Sequence, residues 1–446
     1  MFSIVFKTKD ELAFVPEGSL SPGEFLLRKN VLTGIEKLGK DFSSVKSLFP
    51  SINRSQAGQL VQKARANNPG YSIPDLFSYY FIECDFDDDN EKTIEVLRNN
   101  STIEFAYLER NSSIVPHFHT KAKPLGCYQG YLADAPLGIG AGYAWEKKGG
   151  SGDGTVKFVD VEKGWLFDHE SLDFEKTPDS GFINEAFGDH GVAVMGIIMM
   201  KDGGSGAKGI TPMVKGSVMS VYRGDGKLNT PDAIVSALTY LDAGDILLLE
   251  TQVVNPEDSY RLWPLEIREA NFDMIRLATA LGITVIEPAG NGNIYSSSGN
   301  DLNEFTDYMG RKILNRHHRD FKDSGAIMVA AATSDVPHNR MHFTNYGNRV
   351  DCYSWGENIL TAGLHPRSSG MANNTYTYQF GGTSGAAAII AGAAISLQGM
   401  IEANFQRRLN PLQMRAILGD PEYGTSAEGE IGVMPDLEKI IKDYIR

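Results

Sequence analysis

The chain has 446 residues, 42% hydrophobic and 22% charged, the proportions of a soluble globular protein with a large core and room for a second, smaller domain. Its 42 Lys and Arg stand against 56 Asp and Glu, and the resulting −14 speaks against a nucleic-acid or anionic-membrane partner. Cys84, Cys127 and Cys352 are too few and too scattered for a disulfide framework or a zinc site, so a reducing compartment is expected.

The N-terminal FSIVFKT reads as a strand, and its apolar run stops at Lys7, too early for the core of a Sec signal peptide. The expectation is a cytoplasmic protein, or one exported without such a signal. VLTGIEKLGKDF and SQAGQLVQKARAN alternate apolar and charged residues at helical spacing. YYFIECDF then reads as a strand, DDNEKTIEVLRNN as a helix with acidic residues in its first turn, and TIEFAYLER as a strand. Residues 1–115 are therefore expected to form a small α+β domain. Residues 116–140, with three prolines, several glycines and no sustained period, read as a linker or extended segment.

From 141 to 446 the pattern changes. TVKFVDV, GDILLLETQV, GITVIEPAG and GAIMVAAATS are short apolar runs of the kind buried in a parallel sheet, and HGVAVMGIIMM, PDAIVSALTYL and EANFDMIRLATALG between them are helical. That alternation predicts an α/β three-layer sandwich with a mostly parallel central sheet. The stretch from Thr375 to Ile401 carries no charge and is long enough to span a bilayer. It is rich in Gly, Ala, Ser and Thr rather than Leu, Ile and Phe, so a helix crossing the protein core is expected and no membrane span.

Parallel sheets place functional groups where strands end and helices begin. Asp160 ends TVKFVD, His190 precedes the helix of GVAVMGII, and Ser384 precedes the helix of GAAAIIAGAA. Taken singly, these are a turn residue, a polar helix start and an N-cap. Jointly they are the acid, base and nucleophile of a triad in the order Asp, His, Ser, and Gly382-Thr383-Ser384-Gly385-Ala386 is not the G-x-S-x-G elbow of lipases and esterases.

On these residues, positions from about 140 to 405 resemble the subtilisin-like serine proteases, the subtilases. VKFVDVEKGW resembles the family's aspartate motif, GDHGVAVMGII its histidine motif, GGTSGAAAIIAGAA its serine motif and PAGNGN the segment of its oxyanion asparagine; HFTNYGNRVDCYSWGENILTA resembles the segment upstream of the serine. The resemblance implies a serine endopeptidase acting on protein or peptide substrates through an acyl-enzyme. Asp160, His190 and Ser384 would be catalytic, Asn291 the oxyanion donor, and Leu249, Glu250, Thr251, Ala289 and Gly290 would contact substrate. No cofactor is implied; calcium binding occurs in the family, but no Asp/Asn-rich loop here can be assigned to it.

The chain departs from the family pattern in three places. The aspartate motif reads Asp160-Val161-Glu162 instead of D-T-G or D-S-G, Ala388 stands where a proline is usual, and Leu249-Glu250-Thr251 replaces S-L-G. Glu250 would either favour basic substrate side chains or point to solvent. His317-His318 and His117-x-His119 lack accompanying carboxylates and read as surface histidines, so no metal site is expected. The N-terminal domain resembles, more weakly, a ferredoxin-like subtilase prodomain, which implies a zymogen whose own N-terminal domain acts as intramolecular inhibitor and folding aid. The alternatives are a partner-binding module that stays attached and, for the whole chain, a catalytically silent subtilase fold serving as a scaffold.

Overall fold

The computed structural model describes residues 2–14, 20–32, 44–84, 88–110, 129–202, 206–224, 226–254, 261–293, 295–296, 298–363 and 375–445. Most of the helix expected over 31–42, the first part of the expected linker, and His117 and His119 lie outside them.

The first 110 residues build one antiparallel sheet from β1 (Phe2–Thr8), β2 (Val45–Ser47), β3 (Tyr79–Cys84) and β4 (Ile103–Arg110), in the order β2-β3-β1-β4. Strict alternation gives this sheet two apolar faces. Ile4, Phe6, Tyr80, Ile82 and Ala106 close a small core with Leu26 of α1 (Pro22–Arg28) and Ile94 and Leu97 of α3 (Asp88–Arg98). Val5, Tyr79, Phe105 and Tyr107 face the other way, with Leu60 and Ala64 of α2 (Arg54–Asn67), into the core of the larger unit. A capping box fixes the start of α2: Asn53 Oδ1 accepts from the Gln56 N–H while Gln56 Oε1 accepts from the Asn53 N–H.

The larger unit is built on a nine-stranded sheet. Its strands are β5 (Lys157–Glu162), β6 (Glu175–Lys176), β7 (Lys215–Ser220), β8 (Ile246–Leu249), β9 (Thr284–Pro288), β10 (Ile327–Ala332), β11 (Cys352–Trp355), β12 (Gly424–Ser426) and β13 (Val433–Pro435). The order is β12-β13-β11-β10-β9-β8-β5-β7-β6, parallel throughout except for the β12/β13 edge pair. Central strands such as ILLL of β8 and IMVAAA of β10 are buried on both faces, which is why they read as continuous apolar runs.

Helix α8 (Gly382–Phe405) lies along β8 to β11 with α5 (Gly188–Met199) packed beside it, while α6 (Thr230–Ala237) packs on β5 and β7 and α7 (Glu269–Ala280) on β9. The charge-free stretch is thus a strand, Tyr376–Phe380, followed from Gly382 by a core helix in which residues Gly385 to Ile401 are buried continuously. The expected α/β sandwich with an added N-terminal α+β unit is the observed architecture. Of the expected linker, residues 129–140 lie against the larger unit, where Tyr131 is fully buried and its hydroxyl donates to the Leu360 carbonyl at 3.0 Å.

Candidate active site

The cleft sits where β5 and β8 end and α5 and α8 begin, a cavity of about 120 Å³ lined by Glu162, Lys163, Phe187, His190, Glu250, Thr251, Gln252, Pro288, Asn291 and Gly381 to Ser384. Ser384 is the third residue of α8 and His190 the third of α5, inside the first helical turns rather than before them. At the start of α8 the Gly382 N–H donates to Gly356 O, Thr383 N–H to Asn291 Oδ1 and Gly385 N–H to Gly381 O. The Ser384 N–H is left without a protein partner among the described residues, at the positive end of a 24-residue helix.

The side chain of Asn291 is held in one orientation. Its Oδ1 accepts both the N–H and the hydroxyl of Thr383, each at 2.9 Å, so its amide nitrogen is the donor left over for the cleft. Its own N–H donates to Gln252 Oε1 at 3.0 Å. Gly290, at φ +99°, lets the chain turn here, and a Cβ on it would stand 2.7 Å from Asn345 Nδ2. Asn345 in turn donates to the carbonyls of Ala289 and Leu262 and so braces the loop from below.

The acid is where sequence reading and structure part. The ring nitrogen Nδ1 of His190 faces Glu162 Oε2 at ion-pair distance, and Glu162 Oε1 accepts the Lys163 N–H at 2.7 Å. Asp160 is fully buried; its Oδ2 accepts from Trp165 Nε1 at 2.8 Å and its Oδ1 has no partner among the described residues. The physical reason is strand length. β5 runs two residues past Asp160, and its period of two puts Glu162 on the same face, one step nearer the helix that carries His190. The strand-end carboxyl that reaches the imidazole is therefore Glu162, a residue the sequence reading passed over although the DVE alternation marked it.

Burial, reinforced by the charge of Glu162, pushes the Asp160 carboxyl well above the usual carboxylate range, against the donation from Trp165. Glu250 is only 4% exposed, neither a solvent group nor a rim carboxylate. Burial first, then Asp160 and Glu162, push its carboxyl well up, and the Ser384 hydroxyl beside it works the other way. Burial lowers the Lys163 ammonium, opposed by Glu162.

Of the residues expected to contact substrate, Glu250 and Thr251 line the cleft, whereas Leu249 and Ala289 are fully buried beneath it and Gly290 shapes the loop that carries Asn291. Gln252, Thr383 and Lys163 were not anticipated. Among the described residues, the one group of three His, Cys, Asp or Glu side chains with ligand atoms within 4.8 Å of one another is Glu162, His190 and Glu250, which are cleft residues already named.

A serine on a helix N-terminus, a histidine backed by a carboxyl and an amide donor, gathered at the strand ends of a parallel sheet, is the arrangement of the serine hydrolases. The subtilase family profile (Peptidase_S8) matches residues 165–421, more than half of the chain, and the chain belongs to that family of subtilisin-like serine proteases. The match begins past the β5 carboxyls.

The chain is 25% identical over 245 residues to the major intracellular serine protease of Bacillus subtilis, covering 54% of this chain and 66% of that protein. It is 25% identical over 323 residues to an intracellular serine protease of Paenibacillus polymyxa, covering 70% and 85%. The fold is shared with fervidolysin from Fervidobacterium pennivorans, a keratinolytic enzyme related to subtilisin, at TM-score 0.53, 16% identity and coverage of 88% of this chain and 60% of that one. It is shared too with the MycP3 protease of the type VII (ESX-3) secretion system, at TM-score 0.50, 16% identity and coverage of 74% and 90%.

Proposed function

We propose that the chain is a cytoplasmic endopeptidase that cuts protein or peptide substrates with Ser384 as nucleophile, His190 as general base and Glu162 as the acid that orients it. The observation that carries this reading is the contact of Glu162 Oε2 with His190 Nδ1 in the cleft that also holds Ser384 and Asn291. Ser384 Oγ attacks the substrate carbonyl carbon as its proton passes to His190. Glu162 holds the imidazole in the tautomer that receives that proton and stabilises the imidazolium. The Asn291 amide and the Ser384 N–H bind the oxygen that becomes negative. His190 then returns the proton to the leaving amine, and water repeats the cycle on the acyl-enzyme.

The N-terminal unit is, in this reading, an intramolecular inhibitor and folding aid. Between its sheet and the larger unit lies a cavity of about 510 Å³ whose walls include Val5, Phe81 and Tyr107 on one side and Lys163, Thr251 and Gln252 of the cleft on the other. Substrate approaching along Thr251 and Gln252 meets that unit.

Ser384→Ala should abolish peptide hydrolysis and labelling by a fluorophosphonate probe; labelling that persists removes Ser384 as nucleophile. In the same preparation, wild type should be cut on the N-terminal side of Gln129 while Ser384→Ala stays full length. Active protein that keeps its intact N-terminus would instead make the unit a permanent module.

A further inference from the structure

Resting on the roles given above to Ser384 and His190, we propose that Glu250 is a further catalytic residue, whose protonated carboxyl donates a hydrogen bond to Ser384 Oγ and leaves the serine proton directed at His190. Glu250 follows β8 directly, and its N–H donates to Val161 O at 2.9 Å, which fixes the residue beside β5 and turns its side chain into the cleft. Its carboxyl, the Glu162 carboxyl and a His190 ring nitrogen lie within 4.8 Å of one another. Neither Glu250 oxygen closes a hydrogen bond of ordinary geometry among the described residues, and the Ser384 hydroxyl is the polar group that interacts with it.

The charged and titratable groups that face it are Asp160 and Glu162 of β5, Lys163 just beyond, and His190 of α5; the other polar groups of the lining, Thr251, Gln252, Asn291, Thr383 and Ser384, are neutral. A buried carboxylate with two acids beside it and no fixed donor is costly. The neutral form is the one this place selects.

The two forms do different things to the serine. A neutral carboxyl offers one O–H donor; an ionised one can only accept. With the Glu250 O–H on Ser384 Oγ, the serine's own hydrogen is free to point at His190. During attack the Oγ–carbon bond forms, the carbonyl electron pair moves to oxygen, the serine proton passes to His190, and Glu250 keeps its own proton. Once Glu250 ionises, it accepts the serine O–H, turns it from His190, and adds a negative charge close to the developing oxyanion. Activity should therefore fall on the alkaline side.

The test measures kcat/KM on a peptide and the rate of fluorophosphonate labelling from pH 5 to 10 for wild type, Glu250→Gln and Glu250→Ala. Thermal melts confirm that each variant is folded. The amide of Glu250→Gln donates at every pH, so that variant should stay within a few-fold of wild type at neutral pH and lose the alkaline decline, which in wild type should approach tenfold per pH unit. Glu250→Ala should lower kcat with little change in KM. The proposal is overturned by a flat wild-type profile up to pH 10, which requires no variant at all. It is equally overturned by an alkaline limb that survives in Glu250→Gln, or by a folded Glu250→Gln as dead as Ser384→Ala, which would make Glu250 the base. Hydrolysis by Ser384→Ala would sink the serine reading itself and is a separate outcome.

Discussion

Asp160 and Glu162 lie two residues apart on one face of β5, yet one meets an indole and the other an imidazole. Glu162 meets His190, so Glu162→Gln should lower kcat by about 10³–10⁴ with little change in KM, as loss of an orienting carboxylate does. Asp160 sits against Trp165 in a place that already favours its proton, and an amide can accept the same indole hydrogen. Asp160→Asn should therefore cost less than about tenfold in kcat/KM; the reverse ranking of these two variants, measured on one peptide substrate, would return the role to Asp160. Asn291→Ala should cut kcat by about 10²–10³ through loss of the oxyanion donor. That His190, Ser384 and Asn291 would share one cleft was legible because their motifs bind them to helix starts and a glycine turn. That the carboxyl facing the imidazole is Glu162 was not, because a motif match counts positions along the chain whereas the imidazole reads the length of β5.

Helix α8 illustrates what small residues accomplish at the scale of an element. The run of Gly and Ala after Ser384 was legible as a buried helix, but which neighbour each glycine admits was not, since those neighbours come from remote parts of the chain. Gly392 makes room for the side chain of Ile210, and Gly399 lets the backbone of Gly149 approach. A Cβ at Gly399 would stand 2.4 Å from the Gly149 carbonyl oxygen. Gly399→Ala should destabilise the larger unit by about 1–3 kcal/mol, the usual cost of overpacking a filled interior. Gly142, in the helix Ala141–Trp145, has nothing within 4 Å of such an atom, and alanine there should be neutral or slightly stabilising. Urea denaturation of both variants checks the contrast.

At the scale of the whole molecule the two units share a seam. Tyr79 donates to Asp273 of α7 at 2.7 Å, Asn67 Nδ2 to Leu281 O at 2.7 Å, Asn229 Nδ2 to Leu48 O at 2.7 Å, and Ser51 Oγ to Asp232 at 2.6 Å. Strands β1, β3 and β4 of the N-terminal sheet were legible as apolar runs; the three-residue β2 was too short to leave a period, and the seam was not legible because Tyr79 and Phe105 read simply as core. Burial raises the Asp273 carboxyl to about 6, opposed by the Tyr79 hydroxyl and by Lys7. A raised acid contributes fully to docking below the ordinary carboxyl value and loses that contribution as pH climbs through about 6. The seam should thus weaken between pH 4 and 7 by up to about 3 kcal/mol. Asp273→Asn should flatten that dependence, as read from the affinity of a separately added residue 1–110 fragment for the processed larger unit. While the chain is whole, the covalent link between the two units makes their association intramolecular, equivalent to an effective concentration of the order of millimolar. Cutting it leaves these four hydrogen bonds in place, so a nicked protein should stay assembled when concentrated and come apart when dilute; with the N-terminal unit in the inhibitory role proposed above, dilution alone would then switch the activity on.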